Sequence, residues 1–239
     1  MKCFVEAGLY LVTSESLSGG RSTLSIVSAA LAGGVRLIQL REKELPLPQF
    51  VRLAQDVRWL TDSAHALLII NDRIDVAMAV GADGVHLGQQ DLPVSAARSI
   101  APDLIIGVST HSVEEARDAA ADGASYINIG PIFATRTKEW AGDSIGLEGI
   151  GRIADAVTIP FTVMGGIKRS HVPELVRSGV RTIAVVTAVT AADNPEQAVR
   201  EMLGDVAKAR SAGTTGPGRQ DDCHGPARFR GALLVDDPV

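Results

Sequence analysis

Short, nearly continuous apolar runs recur along the chain, and each is followed by a stretch with amphipathic helical periodicity. The runs are rich in Leu, Ile and Val, and they do not alternate with polar residues. This pattern is typical of parallel strands that are buried on both faces. The predicted strands are 8–13, 35–40, 66–70, 83–87, 104–108, 125–129, 160–164 and 181–186. The predicted helices are 21–33, 48–63, 73–80, 93–100, 112–122, 146–156, 170–178 and 195–210.

Eight strand–helix units predict an α/β fold of the (β/α)8 TIM-barrel type, in a single catalytic domain over 1–210. A doubly wound open sheet is the alternative, but it usually has fewer strands. From residue 211 the chain becomes rich in Gly, Pro and charge and loses its periodicity. We predict that 211–239 is a disordered tail. The alternative is an extension in which the apolar stretch 231–235 pairs with the barrel.

Composition argues against nucleic acid and membranes as partners of the chain, and small-molecule substrates are expected. The net charge of −5 leaves no basic surface for nucleic acid or for an anionic membrane. No apolar run approaches the roughly 20 residues that span a bilayer. Two cysteines and an N-terminus without a secretory pattern predict a cytoplasmic location. The sequence leaves the oligomeric state open, a homo-oligomer included.

Polar residues and glycines follow nearly every predicted strand. In a TIM barrel the active site lies at these carboxyl-terminal strand ends. Two acids, Asp72 and Asp91, follow neighbouring strands, so their carboxylates are expected to lie close together. Such a pair suits a hard cation such as Mg²⁺, which bridges protein carboxylates to substrate phosphates. The alternative is that each aspartate caps the helix that follows it.

Two cations follow the second strand. Arg41 and Lys43 are two residues apart, so both side chains can point the same way. Arginine offers a planar fork for phosphate oxygens and lysine a mobile charge. Beside a metal pair, these cations favour a diphosphate site. Glu42 and Glu44 leave open a structural Arg–Glu network at the rim.

A second anion site is predicted on the other side of the barrel. Gly165 and Gly166 follow the seventh strand, and Val186 and Thr187 end the eighth. This corner of the fold commonly binds phosphate through backbone N–H groups. A simple tight turn is the alternative for the two glycines.

The long segment after the sixth strand is a candidate lid. It carries Thr135, Thr137 and Lys138, of which Lys138 can reach a phosphate at the mouth or stay solvated. Ser109, at the end of the fifth strand, either binds a substrate ring or caps a turn. His86 and His111 are interpreted as structural residues.

In combination these motifs resemble the thiamine phosphate synthase family, from about Gly8 to Arg210. The resemblance is carried, in order along the chain, by QLREK at 39–43, INDRIDVAMAVGADGVHLGQQD from 70, IGVSTHS at 106–112, TRTK at 135–138, GGI at 165–167 and IAVVTAV from 183. It implies a transferase that joins a pyrimidine diphosphate to a thiazole phosphate. The products are thiamine monophosphate and diphosphate. The family mechanism is dissociative, with a methylene cation that the aminopyrimidine stabilises and the thiazole nitrogen captures.

The resemblance also implies residue roles. Mg²⁺ is expected on Asp72 and Asp91. The pyrimidine diphosphate is expected on Gln39, Leu40, Arg41, Glu42, Lys43, Asn71, Ser109 and Lys138. The thiazole phosphate is expected on Thr135, Thr137, Gly166, Val186 and Thr187, with Arg136 in the same loop. The groups expected to take part in catalysis are Arg41, Lys43, Ser109 and Lys138.

Two positions depart from the family pattern, which commonly has Pro at Ala134 and Ser at Thr187. Two rival functions are a thiazole tautomerase, on a related barrel, and a non-catalytic barrel that binds a phosphorylated metabolite. Neither needs the Asp72 and Asp91 pair opposite Arg41 and Lys43.

Overall fold

The computed structural model describes residues 1–135 and 144–213. Eight parallel strands close into a barrel in chain order. The strands are β1 (Leu9–Val12), β2 (Leu37–Leu40), β3 (Leu67–Asn71), β4 (Gly84–Leu87), β5 (Ile105–Thr110), β6 (Tyr126–Ile129), β7 (Phe161–Val163) and β8 (Thr182–Val185). The helices are α1 (Lys2–Glu6), α2 (Thr23–Gly33), α3 (Leu47–Ser63), α4 (Ile74–Ala79), α5 (Val94–Ile100), α6 (Val113–Ala121), α7 (Gly146–Ala154), α8 (Val172–Arg177), α9 (Thr187–Thr190) and α10 (Pro195–Gly213).

The predicted fold class is confirmed. Each predicted strand and helix is present, and pairing of β1 with β8, which sets Leu9 opposite Ile183, closes the barrel. The two short helices α1 and α9 were not predicted. The last helix continues to Gly213, beyond the predicted domain boundary at 210. The predicted disordered tail lies outside the described residues from 214 onward and stays a prediction.

Apolar side chains form two layers of core. The larger layer lies between the strands and the surrounding helices, which is why the strands are apolar on both faces. The smaller layer fills the inside of the barrel with Phe4, Tyr10, Leu37, Ile69, Tyr126 and Ala184. Helix α1 brings the ring of Phe4 to 4.2 Å from the ring of Tyr126, between centroids. The N-terminal end of the barrel is therefore closed by an aromatic plug, and the opposite end is left for a site.

Helix starts and stops follow from local chemistry. Ser22 and Ser112 cap α2 and α6, since each hydroxyl accepts a backbone N–H of the first turn. Gly34 ends α2 in the left-handed conformation, at a φ of 108°. Helix α10 packs against α2 and α8 and completes the outer ring. Within 1–135 and 144–213, the helices all fall short of the length and apolar character that a membrane span needs.

Candidate active site

One pocket opens at the carboxyl-terminal ends of the strands and encloses about 160 Å³. Of the predicted site residues, the structure places in its lining Gln39, Arg41, Lys43, Asn71, Asp72, Asp91, Ser109, Thr135, Gly166, Val186 and Thr187. They come from seven different strand ends, which the barrel brings to one rim. The side chain of Leu40 lies in the core instead. Arg136, Thr137 and Lys138 lie outside the described residues.

The two predicted metal ligands form a carboxylate pair. Asp91 is held by the backbone N–H of Gly88, which donates to its Oδ2 at 2.7 Å. Asp72 sits in the left-handed region at a φ of 60°, where its N–H donates to the carbonyl of His86 at 2.8 Å. Burial first, and then the neighbouring Asp91, raises the pKa of the Asp72 carboxyl. A conformation that is unfavourable for a non-glycine residue is thus kept where it brings two acids together.

Neither aspartate caps a helix. Helix α4 is preceded by Arg73 and α5 by Pro93, and neither cap residue makes a side-chain capping bond. The hydrogen bond of Asp91 goes to the loop N–H of Gly88, within its own turn. The capping alternative therefore fails at both positions, and the carboxylates face the pocket.

The donor set is compatible with a hard cation such as Mg²⁺, because it consists of carboxylate oxygens. Across 1–135 and 144–213, no cluster of three or more His, Cys, Asp or Glu side chains is arranged to hold a metal. A protein contribution of two carboxylates leaves the rest of an octahedral shell to water and substrate oxygens, which is the arrangement that Mg²⁺ favours. Ionised Asp72 is destabilised by its negative neighbour Asp91, and a bound cation would remove this repulsion.

The predicted cations lie beside this pair. The ammonium of Lys43 is 3.3 Å from Asp72 Oδ2, and this contact partly offsets the rise in the pKa of Asp72. Arg41 lines the pocket, and its backbone N–H donates to the hydroxyl of Thr13 at 2.9 Å. The pocket wall therefore carries positive groups next to the acids, as a diphosphate site requires.

Glu42 takes a different position from its neighbours. Its carboxylate accepts the N–H of Glu15 and the hydroxyl of Thr23, both at 2.8 Å. It thereby ties the segment after β2 to the segment after β1 and is absent from the main pocket lining. The structure gives Glu42 a part in positioning the segment that carries Arg41 and Lys43.

The glycine corner lies across the pocket. Gly165 and Gly166 both have positive φ, at 102° and 63°. A Cβ on Gly166 would come within 2.5 Å of the carbonyl oxygen of Ala134, so only glycine fits. Helix α9 begins at Thr187, directly after Val186, and both residues line the pocket. The anion site that the sequence predicts at this corner stays a prediction.

The family follows from comparison with known proteins. Residues 9–189 match the family described as thiamine monophosphate synthase. The chain belongs to this family. A thiamine-phosphate synthase of Chloroflexus aurantiacus is 46% identical over 198 residues, which cover 83% of this chain and 92% of that protein. One from Moorella thermoacetica is 46% identical over 203 residues, covering 84% and 97%.

One solved structure agrees with the thiamine monophosphate synthase assignment, and a second shares only the fold. A thiamine phosphate pyrophosphorylase from Pyrococcus furiosus matches with a TM-score of 0.79 at 38% identity, over 85% of this chain and 97% of that one. A 3-hexulose-6-phosphate synthase matches with a TM-score of 0.59 at 16% identity, over 82% and 99% of the two chains, and it shows the shared barrel alone.

Several lining residues of this family member were not predicted as site residues. His86 is buried, as predicted, but it also lines the pocket, where its Nε2 lies 2.9 Å from the hydroxyl oxygen of Ser109. His111 lines the pocket with its Nδ1 2.9 Å from Glu115. Asn128 accepts the hydroxyl of Thr162 at 2.9 Å. These residues sit inside or directly after apolar strands, so only the strand register, which sets Asn128 beside Ser109, reveals that they face the pocket.

Proposed function

We propose that this chain condenses a pyrimidine diphosphate with a thiazole phosphate to give thiamine monophosphate and diphosphate. The chain is a transferase of the thiamine monophosphate synthase family. The observation that carries the proposed reaction is the carboxylate pair of Asp72 and Asp91 beside Lys43 and Arg41, in one pocket with the glycine corner. Charges of both signs on one wall suit a diphosphate that is accompanied by a cation.

In this proposal Asp72 and Asp91 hold Mg²⁺, which when bound neutralises charge on the diphosphate. Arg41 and Lys43 bind the diphosphate oxygens from the adjoining wall and stabilise the charge that develops as the carbon–oxygen bond breaks. Lys138, from the loop after β6, is proposed to act on the same group. Because these residues supply charge and no nucleophile, the proposed reaction is dissociative.

Binding of the two organic groups is proposed for opposite walls. Gln39, Asn71 and Ser109 hold the pyrimidine near the floor. The backbone of Gly166 and of Val186–Thr187 holds the thiazole phosphate, with Thr135 and Thr137 beside it. This assignment is supported by the left-handed glycines and by the start of α9 at Thr187. Thr187 keeps the hydroxyl of the family serine and adds a methyl group.

The test is incubation of the purified protein with both substrates, with and without Mg²⁺. Formation of thiamine monophosphate with one equivalent of diphosphate, only when the metal is present, supports the proposal. Isomerisation of a thiazole carboxylate phosphate without condensation would instead identify a tautomerase. Binding of phosphorylated ligands without turnover would identify a metabolite-binding barrel.

We also propose that the reaction takes place in the cytoplasm.

A further inference from the structure

Five side chains form a continuous hydrogen-bonded series across the inside of the barrel. Gln39 Nε2 donates to the Tyr10 hydroxyl at 2.7 Å, and the hydroxyls of Tyr10 and Tyr126 are 3.0 Å apart. The Tyr126 hydroxyl is 2.9 Å from His86 Nδ1, and His86 Nε2 is 2.9 Å from Ser109 Oγ. We call this series the interior chain. Its two ends, Gln39 and Ser109, both line the pocket, whereas the two tyrosines are fully buried below it.

Counting protons gives the interior chain one direction. The Gln39 amide nitrogen is only a donor, so the Tyr10 oxygen accepts from it. Among the described residues, Tyr126 is the hydrogen-bond partner that is left for the Tyr10 proton. Tyr126 thus accepts from Tyr10 and donates its own proton to His86 Nδ1.

The same count fixes the histidine tautomer. A neutral imidazole that accepts at Nδ1 carries its proton at Nε2 and donates there. In His86 this proton faces Ser109 Oγ. A proton on Nδ1 would leave Tyr126 with two donors aimed at its oxygen and no acceptor for its own proton, which is costly in a dry interior.

We propose that the interior chain makes Ser109 a hydrogen-bond donor to the ligand, and that Tyr10, Tyr126 and His86 are positioning residues for this purpose. Because Ser109 Oγ already receives the His86 proton, its own proton is free to turn toward the pocket. The ligand must then present an acceptor to Ser109. Naming that acceptor rests on the proposed function: it is a ring nitrogen of the aminopyrimidine.

Packing holds the interior chain in place. Gly107 lies opposite Tyr126 in the strand register, and a Cβ built on Gly107 would fall inside the Tyr126 ring. Because Gly107 on β5 has no side chain, the Tyr126 ring can occupy this space and its hydroxyl can reach His86. On the other side, Phe4 covers both tyrosine rings and shields them from water. Burial also raises the pKa of both hydroxyls, so each tyrosine keeps the proton that the series needs.

The first test reads the tautomer of His86 and needs no substrate. In protein labelled with ¹⁵N-histidine, long-range proton–nitrogen correlation distinguishes a protonated ring nitrogen from an unprotonated one, and His86→Gln identifies the signals. We expect a protonated Nε2 and an unprotonated Nδ1. A protonated Nδ1 at neutral pH overturns the proposal.

The second test measures dissociation constants of an aminopyrimidine phosphate and of two analogues in which one or the other ring nitrogen is replaced by C–H. The unaltered protein is expected to bind one analogue about tenfold more weakly than the parent compound, which is the scale of one lost hydrogen bond. Ser109→Ala should bind that analogue and the parent equally. Tyr126→Phe keeps the ring but breaks the series, so the preference should fall to about twofold. An unchanged preference in either variant overturns the proposal.

The matched control is Thr61→Val, which removes a buried hydroxyl in α3 that bonds to the carbonyl of Arg58. Each preference compares two ligands on the same protein, so a general loss of stability does not move it. Tyr10→Phe breaks the series one step farther away and is the second variant if Tyr126→Phe does not fold. Failure of the whole protein to bind the aminopyrimidine phosphate would reject the proposed function, while the His86 tautomer would still decide on the interior chain.

Discussion

The ammonium of Lys43 lies 3.3 Å from Asp72 Oδ2, on the carboxylate that also meets Asp91. Lys43, which follows β2, therefore lies beside the two acids that follow β3 and β4. Lys43 is about half exposed, so the contact is screened by solvent and contributes little to folding. The contact matters for the proposed function, because it places the Lys43 ammonium where a metal-bound diphosphate is proposed to lie.

Magnesium is expected to stabilise the folded protein. At a free concentration one hundred times the dissociation constant, binding contributes about 2.7 kcal/mol, or about 5–10 °C in Tm for a domain of this size. The shift should disappear in Asp72→Asn and in Asp91→Asn. Differential scanning fluorimetry with and without Mg²⁺ measures it. The control is Asp75→Asn, which removes an exposed carboxylate paired with Arg73 outside the pocket and should keep the shift.

Asp72→Asn is expected to make the metal-free protein more stable at neutral pH. Asparagine tolerates the left-handed conformation of this position and removes the repulsion with Asp91. Because the folded-state pKa of Asp72 is raised, its charged form costs stability above that pKa. The cost fades as the pH falls from the folded pKa toward the unfolded one.

The measurement for this prediction is the difference in Tm between Asp72→Asn and the unaltered protein, followed from pH 7 downward in the presence of a chelator. The difference should shrink as the pH approaches about 4, near the ordinary pKa of an aspartate. A difference that grows as the pH falls would contradict the assigned cause.

Gly107→Ala is expected to lower the free energy of unfolding by about 1–3 kcal/mol, since the new Cβ overlaps the buried Tyr126 ring. Chemical denaturation measures this loss. Gly151→Ala is the matched control, because it adds the same methyl group to α7 where no atom lies within 4 Å. There the change should stabilise the helix by about 0.5–1 kcal/mol. Equal effects at both positions would refute the packing argument.

Gly166→Ala is expected to weaken binding of the thiazole phosphate, because its Cβ would press on the Ala134 carbonyl and reshape the glycine corner. The KM for the thiazole phosphate should rise by about tenfold or more, the scale of one or more lost backbone hydrogen bonds. Gly179→Ala is the control, since it has a φ of 92° with no atom within 4 Å of the new Cβ. It carries similar backbone strain away from the pocket and should leave this KM unchanged.

Glu42→Ala is expected to loosen the segment that carries Arg41 and Lys43, because it removes the acceptor of the Glu15 N–H and the Thr23 hydroxyl. The KM for the pyrimidine diphosphate should rise by about fivefold, with a loss of about 1 kcal/mol in unfolding free energy. Steady-state kinetics and denaturation measure the two effects. The exposed neighbour Glu44 provides the control Glu44→Ala, for which neither quantity should change.

The barrel was predictable because each of its strands is an apolar run bounded by turn residues. The two missed helices, α1 and α9, have five and four residues, which is too short for a 3.6-residue period to appear. The last helix was placed correctly but ended too early, because no glycine or proline stops it at Arg210. Local patterns therefore set the element order, while short or late elements depend on tertiary contacts.

The acid pair and the glycine corner were also predictable, because the topology of a barrel brings all carboxyl-terminal strand ends to one rim. The interior chain was not, since Tyr10, His86 and Tyr126 are far apart in sequence and each sits in a mostly apolar strand. Their hydrogen bonds follow from strand register and from the space left by Gly107, which a single sequence does not reveal. Glu42 was predicted to bind substrate because it lies between Arg41 and Lys43 in the sequence. In the structure its carboxylate accepts the Thr23 hydroxyl.

Anomalous diffraction from a crystal soaked with diphosphate and Mn²⁺, as a substitute for Mg²⁺, directly tests whether Asp72 and Asp91 hold a metal-bound diphosphate. We expect one metal peak that contacts carboxylate oxygens of both Asp72 and Asp91 and an oxygen of the diphosphate, with Arg41 and Lys43 on the remaining diphosphate oxygens. A metal bound away from this pair, or a diphosphate that contacts neither Arg41 nor Lys43, would contradict the proposed site.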